Sequence, residues 1–75
     1  MLFTTLAHAK AFAKRASAHK QTIWVVNSVY YDDEIDAMYE YWYCVADIKR
    51  PVYPDDAERH VCKGYYDGRC VMSCA

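Results

Sequence analysis

Between Leu6 and His19 the apolar residues recur with helical spacing. Leu6, Ala9, Phe12, Ala13 and Ala16 fall on one stripe at about 100° per residue, and Lys10, Lys14 and Arg15 lie off it. Thr5, with Thr4 as the alternative, supplies a hydroxyl that can accept a hydrogen bond from an otherwise orphan amide, so a helix is predicted from Leu6 to His19. Alanine at most stripe positions permits close approach to a sheet, with Leu6 and Phe12 as anchors.

From Thr22 to Tyr31 the residues Ile23, Trp24, Val25, Val26, Val29, Tyr30 and Tyr31 are β-branched or aromatic and predict a strand. A polar stretch from Asp32 to Asp36 follows. Ala37 to Ile48 is then a second strand in which Tyr39, Tyr41 and Tyr43 alternate with Met38, Trp42 and Cys44. The two strands should pair as an antiparallel hairpin. With Tyr31 opposite Ala37, Ile23, Val25 and Val29 share a face with Tyr39, Tyr43 and Val45, while Trp24, Val26, Trp42 and Cys44 occupy the other. Both faces are apolar, and one short helix covers only one of them. The second face is therefore expected to be closed by the C-terminal segment, by a homodimer contact or by a target, with the target favoured.

Pro51 and Pro54 interrupt the strand pattern. Asp55 or Asp56 can cap a short helical turn through Glu58 to His60. Val61–Tyr66 and Arg69–Met72 flank Asp67-Gly68, a dipeptide suited to the type I′ turn of a two-residue hairpin. The predicted fold is a single α+β domain, residues 1–75: one N-terminal helix packed on a small antiparallel sheet of about three to four strands, a long hairpin plus a short C-terminal hairpin.

The 75 residues are 55% hydrophobic and 25% charged, with two Gly and two Pro, which is the composition of a folded chain. The net charge of −1 hides a segregation. Lys10, Lys14, Arg15 and Lys20 stand near the N-terminus without an acid among them. Asp32, Asp33, Glu34, Asp36, Glu40, Asp47, Asp55, Asp56 and Glu58 follow, against only Lys49 and Arg50. Such asymmetry steers charged partners. No apolar run approaches the roughly 18 to 20 residues of a membrane span, and no export signal is recognisable, so a cytoplasmic protein is expected.

Candidate chemistry is sparse. His60, Cys62, Cys70 and Cys74 are the set from which a zinc site would be drawn, but in the predicted hairpin Cys70 and Cys74 point to one side and Cys62 to the other. Free thiols are expected instead, with Cys70 or Cys74 the first candidates for any disulfide. Asp32, Glu34 and Asp36 alternate as the opening ligands of a calcium loop do, yet Ala37 stands where that loop needs Gly and Tyr43 where it needs Glu. His8, His19 and His60 lie in polar settings without a nucleophile arranged beside them, and Gly64 and Gly68 make no phosphate loop. The chain is expected to be neither an enzyme nor the holder of a cofactor.

Eight tyrosines and two tryptophans suit an interface. The run from Thr4 to Ala16, followed by a Val-rich and a Tyr-rich strand, resembles small phage-encoded α+β inhibitor proteins of the anti-CRISPR kind over about the first 48 residues. The Cys-containing tail has no counterpart there. The resemblance implies a non-enzymatic blocker, in the host cytoplasm, of a larger protein complex whose surface is basic because it handles nucleic acid. The residues expected to meet that partner are Tyr30, Tyr31, Asp32, Asp33, Glu34, Asp36, Trp42, Asp55, Asp56 and Glu58. A nucleic-acid-binding module using the basic helix is the alternative from a different class; the acidic middle of the chain, which repels phosphate, disfavours it.

Overall fold

In the computed structural model, which describes residues 1–55 and 58–73, the elements run β1 (Leu2–Phe3), α1 (Leu6–Ala16), β2 (Thr22–Asp32), β3 (Ala37–Ala46), β4 (Arg59–Tyr66) and β5 (Arg69–Ser73). Among the described residues these strands form one antiparallel sheet in the order β1-β3-β2-β4-β5. The α+β class is as predicted, with five strands rather than three to four. The addition is β1, two residues at the edge of β3 that bring the Phe3 ring within 5.4 Å of Phe12.

Helix α1 begins as predicted: the Thr5 hydroxyl accepts the His8 amide at 3.3 Å. Ala9 and Ala13 are fully buried on the sheet, and Leu6 and Ala16 pack around them. It stops at Ala16, short of the predicted His19: Ser17 is its C-cap, with the amide still bonded to Ala13 O at 2.9 Å, and the left-handed backbone that follows cannot continue the helix. The buried Ser17 Oγ donates to Lys14 O at 3.1 Å and accepts the Gly68 amide at 3.0 Å. His19 and Lys20 then take left-handed φ values of 63° and 64° to turn the chain into β2, with the Lys20 amide held by Asp67 Oδ1 at 3.2 Å. Asp67 and Gly68 both have positive φ, as the predicted type I′ turn requires.

The β2–β3 register corrects the expected one by a residue. Asp32 pairs with Ala37, and Tyr31 with Met38 rather than Ala37. The loop is Asp33 to Asp36, because Asp32 stays in the ladder while its carboxylate accepts the Glu34 amide at 3.0 Å and left-handed Asp36 returns the chain. A one-residue slip exchanges the faces of β3 relative to β2. Ile23 and Val25 therefore lie with Trp42, Cys44 and Tyr65 under the helix. Trp24, Val26 and Val61 form a second core with Tyr43, Val45, Tyr53 and Met72 on the other side.

That second face is closed, at its Thr22 end, by the chain itself. Tyr53, from the segment between β3 and β4, lies on it, and Trp24 Nε1 donates to Asp47 O at 3.0 Å. Instead of a helical turn reaching His60, a single turn at Asp55 accepts the Glu58 and Arg59 amides at 2.8 and 3.0 Å, and β4 starts at Arg59. An irregularity in the pairing of β4 opposite Val25 and Val26 leaves Cys62 as the extra residue. It places Cys62 on the helix side with Cys70, whose cross-strand partner is Tyr65, where plain alternation had set the two apart.

Gly64 faces Trp24 across the ladder, and a Cβ there would stand 2.5 Å from Trp24 Cζ3. Gly64→Ala is expected to displace the indole and lower stability by about 1–3 kcal/mol in urea unfolding. Gly68→Ala, with room for the methyl but φ +80°, should cost about 1 kcal/mol. Equal midpoints for Gly64→Ala and the parent would show that Trp24 does not rest on Gly64.

Candidate functional site

Strand β2 and helix α1 each contain 11 residues, but a strand of that length spans roughly 35 Å and a helix about 16 Å. The cover therefore ends partway along β2. Buried positions run without a break from Ile23 to Ser28 and cease at Val29. Asn27 marks the end of the core and satisfies its amide by donating from Nδ2 to Tyr41 O at 3.3 Å. Pairing with β4 reaches only Ser28, followed by a bond from the Val29 amide to Glu58 O at 3.1 Å, and β1 reaches only Trp42 and Tyr43. Beyond these points β2 and β3 continue as a two-stranded ribbon over residues 29–41.

The ribbon carries large apolar side chains into solvent: Tyr30 is 57% exposed, Ile35 60% and Met38 67%, with Tyr31 and Tyr39 also open. Asp32, Asp33, Glu34 and Asp36 surround them at the tip. Directly opposed residues share a face, so Tyr30 with Tyr39, Ser28 with Tyr41 and Val26 with Tyr43 make a row of tyrosines on the side away from the helix. The Tyr41 and Tyr43 rings are 6.2 Å apart. Tyr31, Met38, Val29 and Glu40 occupy the helix side. The Tyr31 hydroxyl donates to the Asp36 carboxylate, and that bond, followed by burial, raises its pKa.

The tyrosine row runs into a shallow groove of about 490 Å³ lined by Leu2, Ser28, Tyr41, Tyr43, Asp55, Glu58 and Arg59. Asp55 accepts the Arg59 guanidinium at 3.2 Å; the pair is partly exposed, so it orients more than it stabilises. The guanidinium also sits 4.4 Å from the centre of the Tyr53 ring. Of the residues expected to meet a partner, Tyr30, Tyr31, Asp32, Asp33, Glu34 and Asp36 lie on the ribbon, and Asp55 and Glu58 line its base. Trp42 does not join them, because the register turns it under the helix, where it is half-buried beside Cys44. Asp56 lies outside the described residues. Ile35, Met38, Tyr39 and Tyr41 were missed; strand alternation places Tyr39 beside Tyr30 only once the loop length is known.

Among the described residues no group of three His, Cys, Asp or Glu side chains is arranged to hold a metal ion, and Cys74 of the expected zinc set is outside them. Nor is any described helix long and apolar enough to cross a membrane. Burial pushes the Cys44 thiol up to about 11, with Sγ 3.7 Å from Ala9 O, whereas Cys70 is an exposed thiol. The Tyr53 hydroxyl is pushed up to about 12 by burial and by its hydrogen bond with Tyr43.

No protein-family model, curated protein or solved structure matches this chain.

Cys44 and Tyr53 are acids held neutral by the fold. The unfolded chain releases their protons first, from pH 9.0 for the thiol and 10.0 for the phenol, while the folded chain holds them to about 11 and about 12. Their contribution to stability is fully present below pH 9.0 and is lost as pH rises through the folded values. Urea midpoints measured against pH should begin to fall near pH 9.0, and Cys44→Ala should move the onset toward 10.0. An onset unmoved by the substitution would place Cys44 in solvent.

Proposed function

We propose that this chain is a non-enzymatic binding domain that caps a basic surface of a larger protein complex with the β2–β3 ribbon, and that it acts as an inhibitor of the phage-encoded, anti-CRISPR kind on a complex that handles nucleic acid. The observation that carries the reading is the extension of the ribbon past both cores. An isolated two-stranded hairpin is marginal in water, and Tyr30, Tyr39, Met38 and Ile35 contribute little burial to this fold. Side chains of that size, arranged around carboxylates, have the composition of an interface centre with a charged rim.

The chemistry divides between the two residue types. Asp32, Asp33, Glu34 and Asp36 steer a cationic surface into register over distances near a Debye length, about 8 Å at physiological salt. The tyrosine rings desolvate against it and supply most of the affinity, with their hydroxyls satisfied at the rim. Asp55 and Glu58 extend the acidic surface along the base of the ribbon. Direct binding of nucleic acid at this end is opposed by the same charges.

With the chain immobilised as bait in nuclease-treated bacterial lysate, the Asp32→Asn, Asp33→Asn, Glu34→Gln, Asp36→Asn variant is expected to lose its basic partners or retain them at least tenfold more weakly, with a flatter salt dependence. Tyr30→Ala combined with Tyr39→Ala should retain the salt dependence and dissociate faster. Capture of the same proteins, at the same salt, by both folded variants would remove the ribbon from the reading.

A further inference from the structure

The opposite end of the molecule holds the complementary surface. Lys10 and Lys14, one turn apart on α1, and Arg69, at the start of β5, rim a groove of about 540 Å³ whose remaining lining is Ala7, Ala11, Tyr65, Gly68 and Cys70. It lies between α1 and the β4–β5 hairpin. No carboxylate lines it, and none of the three cations has a salt-bridge partner among the described residues. Apart from Tyr65, its walls between the cations are small: Ala7, Ala11, Gly68 and Cys70. Tyr65 is only 5% exposed, so the groove presents no open aromatic face on which a nucleic-acid base could stack.

The ribbon tip has the matching arrangement: one exposed apolar side chain, Ile35, set among Asp33, Glu34 and Asp36. The chain cannot insert its own tip, however. Gly68 and Arg69 adjoin the Thr22 end of β2, through the Thr22–Tyr66 pairing, and the tip follows Asp32 at the other end, roughly 35 Å away in a molecule 43 Å long. Contacts between like ends are opposed by charge, tip on tip by its carboxylates and groove on groove by Lys10, Lys14 and Arg69.

We propose that the groove between α1 and the β4–β5 hairpin receives the acidic tip of a second copy of this chain, with Ile35 entering between Ala7 and Ala11 and the tip carboxylates meeting Lys10, Lys14 and Arg69. The contact joins different surfaces of the two copies, so it repeats head to tail. Each docked tip is withheld from any other basic partner, and self-association competes with the binding proposed above.

The test needs only purified protein. Sedimentation velocity at low salt should show the mass rising with concentration beyond that of one chain, and raising the salt should return it to the monomer. One variant carries Lys10→Glu, Lys14→Glu and Arg69→Glu, with the tip intact; a second carries Asp32→Asn, Asp33→Asn, Glu34→Gln and Asp36→Asn, with the groove intact. Each alone should associate at least tenfold more weakly than the parent. Mixed, they should form a complex that stops at one copy of each, because one tip and one groove remain functional. A parent that stays monomeric at low salt, or two variants with the parent's circular dichroism that do not combine, overturns the proposal. Either failure leaves capture of an external partner standing, since that is measured with the bait diluted and immobilised.

Discussion

Strand β2 is buried on both faces from Ile23 to Ser28, and the rest of the molecule is arranged to make that so. Six consecutive buried residues in a chain of 75 require two separate covers, since successive side chains point to opposite sides of the sheet. The helix provides one. Its alanines bring it close enough for Ile23, Val25 and Tyr65 to fill the gap. The other cover is not a helix: Tyr53 and the carbonyl of Asp47, from the chain on its way from β3 to β4, and Met72 of β5 are brought over Trp24 and Val26. Gly64 gives the indole its space, so a residue without a side chain is part of the packing.

The same economy explains where burial ends. Eleven helical residues cover about half the length of eleven extended ones, and the β3–β4 segment is fixed over the same half by Asp47 and Tyr53. Past Val29 the hairpin continues on its own hydrogen bonds, with aromatic side chains that no described segment covers. Charge follows this division. The cations of α1 and β5 gather beside the closed half, while the carboxylates gather at the open tip, so the molecule is electrically polar along its long axis even though its net charge is near zero. The helix stop at Ser17 belongs to the same design, since its hydroxyl and Asp67 fasten the corner before β2 to the β4–β5 turn.

Much of this was legible locally. The Thr5 cap, the Ala9 and Ala13 contacts, the two hairpins and the Asp67-Gly68 turn follow from residue type and period, because each depends on neighbours a few positions away. What escaped depended on distant partners. The corner after α1 is fastened by Gly68 and Asp67, and β1 pairs with β3 at Trp42 and Tyr43. The hairpin register turned on whether Asp32 belonged to the loop or the ladder, a difference of one residue that decided which tryptophan lay under the helix. For the candidate site, the acidic tip with Tyr30 and Tyr31 was readable from composition, and so was the nearness of Asp55 and Glu58 in kind if not in place. The exclusion of Trp42 and the inclusion of Tyr39 and Tyr41 both required the register.

Amide hydrogen exchange along β2 and β3 reports residue by residue where cover ends. The hydrogen-bonded amides between Ile23 and Ser28 are expected to exchange only with global unfolding, and those from Tyr30 to Tyr39 many times faster, through local opening of the ribbon. The boundary should fall at Val29. Uniform protection from Thr22 to Tyr41 in the dilute monomer would mean instead that the ribbon is held by the fold as firmly as the covered half.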